Sequence, residues 1–514
     1  MNIDFPGFPF SAERFGELFL YRTEEPLLFS TGFFFFLFTG FFILFLSLRK
    51  HAPVRICYVT LFSLYFYYKT SGICVLLLLF TATSDFLIAH GTFAARTKRG
   101  KKVWVALSVC INLMMLGYFK YAGFLYSLVV MCLQQVGVWP GVASPEAVSG
   151  MPVDIFLPVG ISFFTFQSMS YTIDVYRGRL QPLCRWMDYL FYISFFPGLV
   201  AGPIVRARDF IPQMYRRPFL SREHLGEGLY LIICGLLKKC VISDYLSLNL
   251  VDRVFDAPTL YTGVENLLGV YGYALQIYCD FSGYSDMAIG IALWLGIRFR
   301  ANFDSPYRST SITEFWRRWH ISLSTWLKDY LYIPLGGNRK GRLRMYVNLI
   351  VTMLLGGLWH GAAFRFVLWG GIHGLSLAVH KWTRRRFPAP ENGGAKQHPL
   401  RRLCGLIFTF HLVCFGWIFF RADSVRTAFD LLEQIATRFY PEVFLQFVEG
   451  YPVVFLLMLS GYLIHFIPKR IDLHIQQAII RSPLALQALY LIAAIFLVAQ
   501  VKSAGIVPFI YFQF

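Results

Sequence analysis

The chain has 514 residues, of which 56% are hydrophobic, 18% aromatic and only 15% charged. Soluble domains carry nearer a quarter of charged residues, and mean hydropathy here is +0.53, so a water-soluble globular protein is excluded and an all-α polytopic integral membrane protein is expected. The net charge of +19 does not point to nucleic acid, because the basic residues cluster in connectors between apolar runs, at 49–50, 96–102, 206–217, 338–344, 384–387 and 401–402. That is the pattern of cytoplasmic loops. At about 20 apolar residues per span there is room for roughly a dozen spans. The ten cysteines lie mostly in apolar segments without a C-x-x-C, and read as small buried hydrophobes.

Residues 1–26 hold Asp4, Glu13, Glu17, Glu24 and Glu25 against two arginines. This acidic head places the N-terminus outside the cytoplasm, and the run 27–48, closed by Arg49–Lys50, reads as a retained span. Runs 54–69 and 72–90 are expected to form a hairpin with Asp85 turned inward. A long run, 103–136, precedes the Gly/Pro-rich external loop 137–152, and 153–176 returns to a basic end. Residues 186–204 are apolar but basic on both flanks, and Pro197, Gly198, Gly202 and Pro203 oppose a continuous helix. A re-entrant segment lining a cavity is expected there. Runs 225–248, interrupted by Lys238–Lys239, and 264–297 follow. Asp280 and Asp286 stand six residues apart, about 240° around a helix, so they are not a paired-carboxylate unit. Structural pairing, with a nearby arginine for instance, is expected of both.

The stretch Tyr307–Gly361 is the most unusual. Between Thr313 and Lys328 the spacing of Trp316, His320, Leu323 and Leu327 predicts one helix with His320 on its inner face. Arg317 and Arg318 on the flank suit a phosphorylated ligand, since guanidinium forks match phosphate oxygens. His360 closes a second apolar run in GGLWHG, beside Trp359, where glycines admit close approach of a substrate or another backbone. An ionisable ring at membrane depth marks a functional site, and imidazole can take a hydroxyl proton near neutral pH. His373, His380, His411 and His465 read as hydrogen-bonded structural residues. No H-E-x-x-H or similar spacing suggests a metal. Further runs lie at 364–380, 403–420, 452–467 and 484–501, the connector 384–402 is cytoplasmic, and no internal repeat appears. The chain ends in the aromatic IVPFIYFQF, with one hydroxyl at Tyr511.

Three segments carry a resemblance: FFPGLVAGPIVRARDF (195–210), residues 276–341 containing WRRWHISLSTWLKDYLYIPLGG, and LLGGLWHGAAFRFVLWGGIHG (354–374). They are similar to the membrane-bound O-acyltransferase (MBOAT) family, in particular its bacterial alginate O-acetylase branch. The resemblance implies one membrane domain over 1–514, with core motifs at 195–374 and C-terminal helices at 403–514. Its fold would be a ring of about 11 transmembrane helices plus re-entrant segments around a central tunnel. It implies His360 as the family's invariant histidine and His320 as its second conserved polar position. Arg317 and Arg318 would then hold the acyl donor, and Asp280, Asn302, Trp359 and Tyr511 would support the tunnel, Tyr511 as acyl relay or docking element, with plain interfacial anchoring by the C-terminal aromatics as the alternative. It further implies acetyl-CoA as donor substrate, no tightly bound cofactor, and an extracytoplasmic polysaccharide acetylase or carrier protein as partner at the inner membrane. D-alanyl transfer, as in the teichoic-acid branch, a transporter and a non-catalytic docking subunit stand as alternatives.

Overall fold

The computed structural model describes residues 17–23, 25–136, 157–387, 398–501 and 509–510. The described residues are helical, with no strand among them. They fall into two compact units: Met1–Phe119 with Val153–Val200 and Val205–Phe219, and Lys120–Pro152 with Ala201–Ile204 and Leu220–Phe514. The external loop expected at 137–152 lies outside the described residues.

Beside a large apolar core, many polar side chains are enclosed and many large apolar ones face outward. Thr60, Ser63, Asp85, Ser108, Asn112, Ser168 and Thr172 are fully enclosed, whereas Phe36, Ile43, Leu87, Phe408, Ile492 and Phe496 are more than half exposed. Lipid tails give apolar side chains no reason to turn inward, but they leave polar ones no partner except another part of the chain. Among the described residues four helices are long and apolar enough to cross a membrane. A fifth crossing would come from Val443–Gly450 and Pro452–His465, bent by 97° at Tyr451.

In the first unit, helices Ala52–Ser71 and Val75–Ala94 meet at a short turn where Gly72 takes φ +58°. Asp85 does face inward, as expected. Ser108 Oγ donates to it at 2.5 Å and Asn112 Nδ2 at 2.8 Å, and Ser168 Oγ donates as well. Residues 186–204 are discontinuous, with short helices at Trp186–Ser194 and Phe196–Leu199 and irregular chain beyond. Phe196 anchors the break. Its ring lies 5.1 Å from Phe62, 5.5 Å from Phe66 and 5.9 Å from Phe41, while its N–H donates to Ser63 Oγ at 3.2 Å.

The second unit is built on the 32-residue helix Gly263–Trp294, started by a capping box of Thr262 and Glu265. Helix Arg222–Leu236 crosses it where Gly228 meets Gly290 and Gly235 meets Gly283. A side chain at any of these four would come within 3 Å of the opposite backbone. Helices Arg342–His360 and Phe364–Arg386 form a second close pair, again at glycines. Small residues at the crossing let dispersion act between backbones, the main attraction available in lipid.

Candidate active site

Both singled-out histidines are fully buried in the second unit, His320 at 0% and His360 at 3% exposure. The single helix expected over Thr313–Lys328 is a correction. Two short helices, Ile312–Arg318 and Ile321–Leu327, are separated at Trp319–His320. His320 itself takes φ +41°, a left-handed conformation that only one other described non-glycine residue, Ser305, shares. Such a backbone costs about 1–3 kcal/mol and persists only when its surroundings over-determine it. Asn302 does so here. Its carbonyl accepts the Ile321 N–H at 2.9 Å, and its side-chain Oδ1 accepts the Ser322 N–H at 3.1 Å and hydroxyl at 2.9 Å. His320 Nδ1 lies 3.3 Å from the same Oδ1, so Nδ1 carries the proton and Nε2 is the accepting nitrogen of the neutral ring. Periodicity could not reveal the break, because the residue that causes it lies 18 positions upstream.

The two rings are linked through Trp359. Its ring centre is 6.0 Å from that of His320 and 4.9 Å from that of His360. Phe281 closes the other side of His320 at 4.6 Å, and Trp369 and Phe420 stand at 5.0 and 5.2 Å from His360. Two imidazoles therefore share one wall of aromatic rings, met edge-on or tilted. The glycines before His360 admit a backbone: a side chain at Gly357 would meet Phe366 O at 2.1 Å. Lys120 and Tyr121 also reach this helix end. The signal for this contact in the sequence is a lone lysine inside an apolar run.

The two aspartates of helix Gly263–Trp294 are paired with consecutive lysines rather than arginines. Lys239 Nζ is 2.6 Å from Asp280 and 2.8 Å from Asp244, and Lys238 Nζ is 2.6 Å from Asp286. The other oxygen of Asp280 accepts the Ile510 N–H at 2.8 Å. Buried Phe509 packs on Tyr284 and Phe281 at 5.0 and 5.7 Å, so the described part of the C-terminus joins the wall behind His320. Tyr511 lies outside the described residues. Arg317 is exposed, whereas Arg318 is held by Glu314 at 2.9 Å and Asp304 at 3.4 Å. His373, His380, His411 and His465 each have a hydrogen-bond partner: Trp316, Thr313, Tyr271 and the Tyr307 N–H. Among the described residues no group of His, Cys, Asp and Glu is arranged to hold a metal ion.

Two enclosed imidazoles beside one tryptophan are an arrangement able to move a proton away from bulk water. Residues 18–422 match the model of the membrane-bound O-acyltransferase family, and the chain belongs to that family. It is therefore a membrane O-acyltransferase. The "Probable alginate O-acetylase" of Azotobacter vinelandii is 41% identical over 409 residues, covering 79% of this chain and 77% of that protein. The protein of the same name in Pseudomonas aeruginosa is 43% identical over 343 residues, 67% of this chain and 62% of its own length. The "Peptidoglycan O-acetyltransferase" of Helicobacter pylori is 34% identical over 439 residues, 79% of each chain.

Proposed function

We propose that this enzyme takes an acetyl group from cytoplasmic acetyl-CoA and passes it across the inner membrane for O-acetylation of an extracytoplasmic polysaccharide, an alginate-like polymer first. The reading rests on relatives named for acetylation of alginate and of peptidoglycan. The structural observation that carries the site is that the His320 and His360 rings both pack against Trp359. A ring of helices around a tunnel would bring donor and acceptor to these rings from opposite sides.

In the proposed step the acceptor hydroxyl gives its proton to the His360 imidazole as its oxygen attacks the thioester carbonyl. The carbon–sulfur bond then breaks. The proton passes from imidazolium to the leaving thiolate, which departs as CoA. His320, its tautomer set by Asn302, presents Nε2 as a hydrogen-bond acceptor and so orients the reacting groups. Arg317 and Arg318 are the candidate contacts for CoA phosphates, Arg317 exposed and Arg318 already held by Glu314 and Asp304. Asp280, through Lys239 and Ile510, supports the wall behind His320. An extracytoplasmic acetylase or carrier protein receives the group.

Purified protein in lipid nanodiscs, given labelled acetyl-CoA and alginate with its export partners, is expected to release CoA and label the polymer. Label moving only from a D-alanyl carrier thioester would instead favour the chemistry named for a relative in Bacillus subtilis, the "Teichoic acid D-alanyltransferase", 30% identical over 301 residues, 55% of this chain and 73% of that protein. No release from either donor would remove the proposal.

A further inference from the structure

The helix Arg342–His360 ends on His360 itself, and its last carbonyls have no partner within the helix. Trp359 and His360 are almost fully enclosed, and a buried carbonyl left unsatisfied costs several kcal/mol. Their donors come from a π-helical turn, Gly117–Tyr121, more than 230 residues upstream. Lys120 Nζ stands 2.9 Å from both Trp359 O and His360 O, and Tyr121 Oη donates to Leu358 O at 2.6 Å. Three consecutive carbonyls are thus gripped by two adjacent side chains. An ammonium there also meets the negative end of the helix dipole.

The placement is costly without a purpose. A lysine within an apolar run is expensive, and the distortion to a π-turn is a feature frequent at functional sites. Capping alone would need only hydroxyls. Lys120 on the carbonyls of Trp359 and His360, and Tyr121 on that of Leu358, fix the end of the helix that carries the ring between Trp369 and Phe420.

We propose that Lys120 and Tyr121 are positioning residues for His360, a clamp that fixes the imidazole for proton transfer without touching substrate. The inference rests on His360 being the base. Because a misplacement of about 1 Å can cost about 100-fold, loss of the clamp should appear in kcat. Lys120→Met is expected to lower kcat for CoA release by roughly 10- to 100-fold, with KM for acetyl-CoA within about twofold. Lys120→Arg, which keeps charged donors, should recover most of the rate. Tyr121→Phe, which removes one hydrogen bond, should lose up to about tenfold.

His360→Ala is measured in parallel, with folded protein quantified by gel filtration. An active His360→Ala enzyme would overturn the base reading, and the clamp with it. An inactive His360→Ala enzyme beside Lys120→Met and Tyr121→Phe at the wild-type kcat would overturn the clamp alone. Should both Lys120 variants fail to fold, Tyr121→Phe decides: reduced kcat at unchanged KM upholds the clamp, and unchanged kcat leaves these residues as caps and overturns it.

Discussion

Replacing Gly357 by alanine tests whether close helix packing sets the position of His360. The added methyl would stand 2.1 Å from Phe366 O and 3.2 Å from Gly370 Cα. Comfortable non-bonded separations are about 3.5–4.0 Å, so helices Arg342–His360 and Phe364–Arg386 must part by roughly 1–1.5 Å. Overpacking of this kind costs about 1–3 kcal/mol in stability. His360 lies three positions further along the same helix, so it should move with the displaced turn, and a shift of about 1 Å predicts up to about 100-fold loss of transfer. Gly370 and Gly371 supply the contrast. A methyl at Gly370 would meet Met353 O at 2.4 Å, but at Gly371 its nearest neighbour is Leu354 Cδ2 at 3.7 Å, an ordinary contact. Acetyl transfer by membranes, normalised to folded protein, should therefore fall for Gly357→Ala and Gly370→Ala and stay near wild type for Gly371→Ala. Equal damage at Gly370 and Gly371, or a fully active Gly357→Ala enzyme, would refute the packing argument.

Other consequences are equally direct. Asn302→Ala removes the acceptor shared by His320 and Ser322, so kcat should fall by roughly 10- to 100-fold, while Asn302→Asp, which keeps the accepting oxygen, should retain more; equal rates would contradict the tautomer assignment. Lys239→Met strands Asp280 in a site where both partners are almost fully enclosed, so Tm in detergent should drop by the equivalent of about 3–5 kcal/mol. The exposed pair Arg298–Glu227 should yield less than about 1 kcal/mol on Arg298→Ala, and an equal loss at both pairs would undo that distinction. Burial pushes the Glu314 carboxyl up, but the Thr310 N–H and hydroxyl and the Arg318 guanidinium outweigh it and hold it below the usual glutamate range. Its stabilisation is therefore full above the ordinary value of about 4.3 and fades as pH falls through the lower folded value. Glu314→Gln should flatten that acid limb of the Tm–pH curve, and superimposable curves would speak against it.

The helical class was legible in the sequence because lipid imposes a plain rule: backbone groups must be satisfied within the segment, so long apolar runs become helices. Histidines in such runs stood out for the same reason. Asp85 was placed correctly because a carboxylate cannot face lipid. The break at His320 was hidden, since it depends on Asn302 arriving from a distant loop and not on local periodicity. The aspartates' pairing was legible but not their partners, because a π-turn at Leu237–Ser243 carries Lys238 and Lys239 to Asp286 and Asp280. That register change leaves no mark in a hydrophobic pattern. Lys120 escaped for a related reason: its partners are main-chain carbonyls 239 and 240 positions away, which no side-chain motif announces.

The central claim is that His360 moves the proton in acyl transfer. It is tested most directly by single-turnover release of CoA from acetyl-CoA by purified His360→Ala, set beside His380→Ala. Both rings hold fixed places in the second unit, but the His380 ring is held by the Thr313 hydroxyl and not by the aromatic rings around His360. Loss of a general base costs about 100- to 10,000-fold, so His360→Ala should fall by that range while His380→Ala keeps its rate. Wild-type release by a folded His360→Ala enzyme would contradict the account.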